Sequence, residues 1–270
     1  MKQMKTPVYF FTRKRFERRV HEEAERQLAQ VTKLQELDNL RRQIELDTLQ
    51  AQINPHFLYN ALECIRGQAI IYHVPEIDQI CFALSQFFRY SISSADSIAT
   101  LRDEIENVKH YMCVQQFRFQ DRLELQIHCE EEALLETTLP RLTLQPLVEN
   151  AVIHGFRNKK THAMVVISLR GVDGQVDVTV ADNGCGMDVA TLTNCIDTMM
   201  GRKAPDPGQK AKGNSIALRN VHRRISLLCG APYGLALSSV EGEGTEIGIR
   251  LPRKTPGQQG NPPHAPEGRP

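Results

Sequence analysis

The sequence lacks the features that mark several common classes of protein. Its formal net charge is only +1, so no electrostatic bias favours nucleic acid as a partner. Its seven cysteines include no CxxC pair, which indicates reduced thiols in a cytosolic protein rather than a disulfide framework or a zinc site. No stretch approaches the roughly 18 apolar residues that span a bilayer. The apolar fraction of 41% is typical of an ordinary globular core.

The N-terminal segment joins a short apolar patch, PVYFF (7–11), to a basic run, RKRFERR (13–19). This order suits the inner edge of a transmembrane helix whose body is absent from the sequence. A frayed basic terminus is the alternative that the sequence favours. We therefore expect a cytoplasmic protein. The open alternative is attachment at the inner face of the cell membrane, through a membrane-embedded sensor portion.

Residues 13–55 contain no glycine and only Pro55 as a proline, and they are rich in good helix formers. Their apolar and small residues recur at nearly heptad spacing, which predicts a long helix that pairs with a second copy of itself. A single solvated helix is the alternative. A second helix is predicted after a break at 73–75, with apolar positions between Ile77 and Phe88. Two such helical hairpins would form a four-helix bundle in a homodimer.

From about residue 101 the pattern changes to alternating helices and strands. Helices are predicted at 101–119, around 144–155 and at 216–229, with strands at 123–129, 164–170, 175–180, 235–240 and 245–251. We expect a polar loop at 190–212 and a disordered tail at 253–270. The predicted fold class is α+β, with a helical hairpin followed by an α/β sandwich. The expected divisions are an N-terminal helical linker, a dimerising helical hairpin, an α/β domain and a disordered tail, at 1–34, 35–97, 98–252 and 253–270.

His56 is the candidate nucleophile, in the segment QINPHFLYN (52–60). Pro55 should kink or restart the helix here, with Asn54 as a possible N-cap. A histidine with a pKa near 6.5 is mostly neutral at pH 7, so one ring nitrogen can attack a γ-phosphorus. Asn60 lies one helical turn on and can hold the imidazole or position a water. For an isolated histidine, a packed position in a helical bundle would be the simpler interpretation.

The segment LQPLVENAVIHG (144–155) predicts an amphipathic helix with polar residues on one flank. Asn150 and His154 lie four residues apart on that flank. The amide oxygen of Asn150 suits Mg²⁺, a hard cation that bridges phosphates, and His154 can donate to a phosphate oxygen. Glu149 lies on another side, where it either orients a proton acceptor or is simply solvated. A core helix with a polar flank is the alternative, and it explains Asn150 poorly.

Asp182 follows an alternating strand and heads ADNGCGM (181–187). A carboxylate there can accept the exocyclic amine of adenine, and Gly184 and Gly186 let the backbone approach the base. A tight Asn-Gly turn is the alternative. Downstream, GNSIALRNV (213–221) opens a helix whose N-terminus can bind phosphate, and GEGT (242–245) can close the adenine pocket. These segments add Gly213, Ser215, Leu218 and Thr245 to the candidate ATP contacts.

Together these segments resemble the catalytic portion of LytS/YesM-type sensor histidine kinases, with a Bergerat (GHKL) ATPase domain of the kind shared with gyrase. The resemblance covers about residues 35–252. NPHFLYN resembles the phosphoacceptor box, which implies that His56 is phosphorylated, and LSQFFRYS (84–91) resembles the second bundle helix. LQPLVENAVIHG resembles the N box, which implies Asn150 as the Mg²⁺ ligand and His154 near phosphate. DNGCGM resembles the first glycine box, which implies Asp182 as the adenine contact.

The resemblance implies ATP-dependent autophosphorylation of His56 and transfer of the phosphoryl group to an aspartate on the receiver domain of a response regulator. One segment departs from the family pattern, because Ser215 and Ala217 stand where glycines are common. A β-carbon at 217 limits the approach to phosphate, while Ser215 can cap the helix instead. Two alternatives are a related ATPase that hydrolyses ATP or phosphorylates a serine, and a nucleotide-binding scaffold without kinase activity.

Overall fold

The structure is a computed structural model that describes residues 55–92, 97–119, 122–156, 162–203 and 212–253. The chain divides into two units, Met1–Leu58 and Tyr59–Pro270, and only the last four residues of the first unit are described. The predicted long N-terminal helix, its heptad pairing, a cap at Asn54 and the predicted tail beyond residue 253 therefore lie outside the described residues. All seven cysteines lie inside them, and none of them forms a disulfide, as predicted.

Two helices open the described part of the chain, α1 (Pro55–Ile71) and α2 (Pro75–Ile92). A short turn joins them, and His73 adopts a left-handed conformation there with φ of 55°. Arg66 links the helices, because its Nε donates to Asp78 Oδ1 at 2.7 Å and its guanidinium lies 5.1 Å from the ring centroid of Phe82. The predicted helical hairpin, with its break at 73–75, is therefore present.

The remaining elements form one continuous α/β arrangement. They are β1 (Ile98–Thr100), α3 (Leu101–Phe119), β2 (Leu123–Cys129), a 3₁₀ turn (Glu132–Glu136), β3 (Thr138–Pro140), α4 (Leu144–Asn150) with a following π-helical turn (Ala151–Gly155), β4 (Ala163–Val172), β5 (Gln175–Asp182), α5 (Val189–Met199), α6 (Lys212–Cys229), β6 (Gly234–Val240) and β7 (Gly244–Pro252).

Five strands form the main sheet in the order β2-β4-β5-β7-β6. The pair β2–β4 is parallel, and the other three neighbouring pairs are antiparallel. The parallel pairing follows from the long connection between β2 and β4, which carries α4 across one face of the sheet. Strands β1 and β3 form a separate two-stranded antiparallel ribbon. The predicted mixed sheet is thus confirmed.

The core lies between one face of the sheet and helices α3, α4 and α6. Alternate residues of β4 and β5 point into it, which is the pattern expected of a half-buried sheet, and they meet the apolar stripe of α4. Burial of one such side chain stabilises the fold by about 1.5–3 kcal/mol. The stripe predicted for α4 is buried as expected, with Leu144, Leu147, Val148 and Ala151 each no more than 3% exposed.

Three expectations need correction. The predicted polar loop at 190–212 begins with helix α5, because Asp188 caps it by accepting the Thr191 N–H at 2.8 Å. The prolines and glycines further on misled the sequence interpretation. The turn expected at 171–174 is shorter, since β4 continues to Val172 and only Asp173 and Gly174 adopt positive φ. The described part of helix α6 begins at Lys212, ahead of the predicted start at residue 216.

Candidate active site

His56 lies in α1, whose described part begins at Pro55. Its side chain is exposed, as is that of Asn60 in the same helix. An imidazole sealed in packed hydrocarbon would be unable to reach a nucleotide, and the structure does not show that arrangement for His56. The exposure is compatible with a nucleophilic role.

Asn150 ends the regular part of the helix that packs on the sheet. Its side chain is half-buried, and its Oδ1 atom is buried without a hydrogen-bond partner. An unsatisfied buried amide oxygen costs about 1–3 kcal/mol, so its retention calls for an explanation. An oxygen that is shielded from water and without a protein partner fits a ligand for a hard cation such as Mg²⁺.

The helix does not continue regularly after Asn150, because residues Ala151–Gly155 form a π-helical turn. Such turns are rare and occur frequently at functional sites. The α-helical spacing that predicted His154 on the flank of Asn150 does not apply through this turn. His154 itself is half-buried, and its carbonyl oxygen accepts the Cys185 thiol at 3.5 Å. The sequence pattern contains no signal for this change of helix type.

The end of the π-helical turn packs directly against the Asp182 carboxylate. A β-carbon on Gly155 would lie 2.8 Å from Asp182 Oδ1, and a β-carbon on Gly184 would lie 2.5 Å from the Gly155 carbonyl oxygen. Two hydrogen bonds fix the approach, from the Gly184 N–H to Asp182 Oδ1 and from the Cys185 N–H to the Gly155 carbonyl, both at 2.8 Å. The structure therefore brings the segments at 144–155 and 181–187 together, as the sequence interpretation required.

The turn between β6 and β7 closes the other side of this cluster. A β-carbon on Gly244, which has φ of 138°, would overlap the Asp182 carbonyl, and one on Gly186, which has φ of 62°, would overlap the Val240 carbonyl. Both positions therefore need glycine. Thr245 is the direct register partner of Asp182 across β5 and β7. The predicted site residues Asp182, Gly184, Gly186 and Thr245 thus share one end of the sheet.

Ser239 is a site-region residue that the sequence interpretation missed. Its hydroxyl accepts the Met187 N–H at 2.9 Å, donates to the Gly244 carbonyl at 2.8 Å and lies 2.9 Å from the Thr245 hydroxyl. It therefore joins the glycine-rich turn after β5 to the turn before β7. Gly155 and Gly244 were missed as well, although both occur in segments that were singled out, and only their spatial neighbours show their importance.

Glu149 is half-buried and hydrogen-bonded to a neighbouring polar side chain. Its Oε1 accepts the Gln145 amide at 2.8 Å, and the Gln145 Oε1 in turn accepts the amide of Asn107 at 2.7 Å. Asn107 is only 2% exposed, so the chain of amides begins in the core. This arrangement holds the Glu149 carboxylate through one hydrogen bond, and its role in orienting a proton acceptor stays a prediction.

The segment at 213–220, which was predicted to bind phosphate at the start of a helix, lies in α6. Gly213 and Ser215 lie within the first turn of α6, whose described side chains begin at Ile216. Leu218 is 1% exposed and belongs to the core cluster, so it supports the site from beneath. Among the described residues, no group of three or more histidine, cysteine or acidic side chains could hold a metal ion. Asn150 stays a predicted ligand.

Two stretches of the sequence match known protein families. Residues 44–123 match the family described as Histidine kinase, and residues 136–255 match the family described as histidine kinase-, DNA gyrase B- and HSP90-like ATPase. The boundary between the two matches falls between α3 and α4. The first match contains His56, and the second contains the cluster formed around Asp182.

Curated relatives carry the same pair of regions within longer proteins. The chain is 37% identical over 211 residues to sensor histidine kinase YesM of Bacillus subtilis, which covers 78% of this chain and 34% of the relative. It is 34% identical to sensor histidine kinase YpdA of Escherichia coli, covering 84% and 38%, and 32% identical to sensor protein LytS of Oceanobacillus iheyensis, covering 81% and 36%. The chain thus spans about a third of the length of these relatives.

One similar solved structure is the histidine kinase domain of the blue-light activated histidine kinase from Erythrobacter litoralis EL346. The match covers 73% of this chain and 95% of that domain. The TM-score is 0.41 and the sequence identity is 16%. In the part of the chain that the structure describes, no helix is both long enough and apolar enough to cross a membrane.

Proposed function

We propose, from the premise that this chain belongs to the histidine kinase family, that it is the kinase portion of a two-component sensor and phosphorylates its own His56 from ATP. The single observation that carries the proposal is the contact between Gly155, at the end of the helix that carries Asn150, and the Asp182 carboxylate, in a chain that also exposes His56 on a preceding helix. The ATP-binding module supplies the phosphoryl donor, and the helix supplies the acceptor.

Each group of the site has a chemical task in this proposal. The Asp182 carboxylate accepts the exocyclic amine of adenine, and the glycines around it give the base room to approach. The buried Asn150 Oδ1 holds Mg²⁺, whose charge neutralises the phosphates when it is bound. His154 lies on the stretch that follows Asn150 and is assigned to phosphate. Gly213, Ser215, Leu218 and Thr245 are assigned to the walls of the nucleotide site.

His56 performs the chemistry. One nitrogen of its neutral imidazole forms a bond to the γ-phosphorus, and ADP leaves with the electrons of the bond that breaks. Such transfers depend mainly on positioning and charge neutralisation, with little covalent work for the protein. Asn60 holds the imidazole, and Glu149 helps to orient the group that accepts the proton. The phosphoryl group then passes to an aspartate of a receiver domain in a response regulator.

The helical hairpin is proposed to be a dimerisation element. It leaves several large apolar side chains at least 41% exposed, which is unusual for a surface that has no partner. A second copy would cover this surface in a four-helix bundle. The domain division of the sequence interpretation (1–34, 35–97, 98–252 and 253–270) remains part of the proposal, as does a cytoplasmic location at the inner face of the cell membrane beside a membrane-embedded sensor portion. The exposed residues are Ile65, Ile70, Ile71, Tyr72, Ile77 and Phe82.

The proposal is tested by mapping the phosphorylated residue after brief exposure of the chain to Mg-ATP. We expect acid-labile, base-stable label on His56, its loss in His56→Gln, and unchanged Mg-ATP affinity in that variant. Asn60→Ala, on the same helix, should retain a reduced level of label. Full labelling of the His56→Gln chain would contradict the site assignment. Tight ATP binding without any label in the unaltered chain would instead identify a nucleotide-binding scaffold.

A further inference from the structure

A buried carboxylate caps the helix that carries Asn150. Glu104, on α3, is 0% exposed. Its Oε1 accepts the N–H of Leu142 at 2.6 Å, and its Oε2 accepts the N–H groups of Thr143 and Leu144 at 2.7 and 2.8 Å. Unpaired N–H groups at a helix start need such acceptors, and negative charge there is favourable. Thr143 occupies the N-cap position but makes no side-chain cap, so the distant Glu104 replaces it.

The same turn is held from its other side by a cation. Arg224, on α6, donates through both terminal nitrogens to the carbonyl oxygens of Arg141 and Leu142, each at 2.7 Å. Leu142 has φ of 57°, a left-handed conformation that a leucine keeps only where its surroundings enforce it. The N–H of Leu142 is fixed by Glu104 and its carbonyl by Arg224. The entry to α4 is therefore determined by two charged side chains from two other helices.

A third helix reaches this turn through Tyr90, near the end of α2. The Tyr90 hydroxyl donates to Glu104 Oε1 at 2.5 Å. The Arg141 guanidinium lies 4.0 Å from the Tyr90 ring centroid and donates to the Tyr90 carbonyl at 2.6 Å. Burial, followed by the charge of Glu104 and the hydrogen bond to it, raises the pKa of Tyr90, so the phenol remains a donor. Ring contacts between Phe87 and Tyr111 extend the packing of α2 on α3.

We propose that Tyr90 and Glu104 are positioning residues that couple the second helix of the hairpin to the helix bearing Asn150. Neither residue touches the nucleotide. A displacement of the end of α2 moves the Tyr90 hydroxyl and, through its hydrogen bond, the Glu104 carboxylate. The cap on residues 142–144 then changes, and the position of Asn150 shifts with it. This inference rests on the proposed function, because that function makes α2 part of the phosphoacceptor hairpin and Asn150 a nucleotide contact.

The test uses Tyr90→Phe in the full chain, which keeps the ring over Arg141 and removes only the hydroxyl. We expect faster amide hydrogen exchange at residues 142–144. We also expect the Kd for Mg-ATP to rise about three- to tenfold, as the loss of part of one charge-assisted hydrogen bond predicts. Both measurements are made at a temperature where the variant is fully folded. Glu104→Gln, which presents amide donors to backbone donors, should change both quantities further in the same direction.

Two control variants separate positioning from general destabilisation. Tyr233→Phe makes the same chemical change on a half-buried side chain just before β6, and Ile167→Val lowers stability from a buried position on β4. Neither should change the Mg-ATP affinity or the exchange at 142–144.

The inference is overturned if Tyr90→Phe behaves like Ile167→Val, with a lower Tm but unchanged affinity and exchange. The outcomes are separable from those of the proposed function. If the unaltered chain fails to bind Mg-ATP, the proposed function fails, whereas the hydrogen-exchange comparison at 142–144 still decides whether Tyr90 supports the cap. If the unaltered chain binds Mg-ATP and labels His56 while Tyr90→Phe leaves exchange and affinity unchanged, only the positioning role is wrong.

Discussion

The contact between Gly155 and Asp182 allows the adenine contact to be tested by a single methyl group. In Gly155→Ala the new β-carbon would lie 2.8 Å from Asp182 Oδ1, 3.2 Å from its Cγ and 3.6 Å from its Oδ2. All three nearest atoms belong to one side chain, so the Asp182 carboxylate must rotate away. Gly155 does not adopt a left-handed φ, unlike Gly186, so alanine can take its backbone conformation without strain.

The size of the effect follows from the hydrogen bonds of that carboxylate. A hydrogen bond to a charged group contributes about 1.5–3 kcal/mol, and under the proposed function a displaced carboxylate would lose the one to adenine. Since about 1.4 kcal/mol corresponds to a tenfold change in Kd, the affinity for Mg-ATP should fall roughly 10- to 150-fold. The folded state loses the hydrogen bond from the Gly184 N–H to Asp182. Alanine also restricts the unfolded chain, which raises the free energy of unfolding by about 0.4–1 kcal/mol, so the net destabilisation should be about 1–2 kcal/mol.

Isothermal titration with Mg-ATP and Mg-GTP measures this prediction, with the Tm recorded for each protein. The unaltered chain should prefer ATP, and Gly155→Ala should lose most of that preference. Gly67→Ala is the matched control, because a β-carbon at Gly67 would meet nothing within 4 Å and α1 should accept it with a small gain in stability. If Gly155→Ala retains normal ATP affinity and the normal preference over GTP, Asp182 does not read adenine.

Three further outcomes are expected. Asn150→Asp should weaken Mg-ATP binding roughly tenfold and reduce His56 labelling in parallel, because it replaces a neutral oxygen donor with a charge near the phosphates. Titration and labelling of the same preparation measure both effects. Undiminished affinity would show that Asn150 is not part of the site. Ser239→Ala should raise the Kd for Mg-ATP several-fold, since the glycine-rich turn loses its link to the turn before β7, and an unchanged Kd would show that this link is unimportant for binding. Burial lowers the pKa of His222, whose Nδ1 accepts the Leu235 N–H at 3.0 Å. Because the pKa of His222 is lower in the folded state than in the unfolded state, its contribution to the free energy of unfolding is present above the ordinary pKa near 6.5 and is lost as pH falls. Urea unfolding at several pH values should therefore show a smaller acid-dependent loss of stability in His222→Asn than in the unaltered chain, and equal losses would contradict the assignment.

The elements that the sequence predicted well are those whose signal is local. Strand β5 alternates valine with polar residues, and α2 repeats apolar residues at helical spacing, so each was found with nearly correct bounds. Helix α5 was missed because Asp188, its N-cap, precedes a stretch that merges into a segment rich in proline and glycine. The sequence contains the cap, but the composition of the following residues dominated the interpretation.

The site was predictable where a motif supplies its chemistry and unpredictable where a distant residue supplies its geometry. Asn150 and Asp182 were identified from their own segments. The capping of α4 by Glu104, from a position 39 residues before Thr143, has no local signature, because a buried glutamate looks the same in sequence as an exposed one. The π-helical turn after Asn150 is likewise decided by packing against β5 and β7 rather than by residue preference.

The order of strands in the main sheet has a consequence for how the protein is made. Strand β7 is the last of the described strands along the chain, yet it lies between β5 and β6 and is the only one of them that pairs with β6. During synthesis β5 therefore presents an open hydrogen-bonding edge, and β6 has no neighbour, until about residue 252 has emerged. Unpaired edges of this kind favour aggregation, so a truncation that removes only the final strand should yield insoluble protein rather than a slightly smaller enzyme.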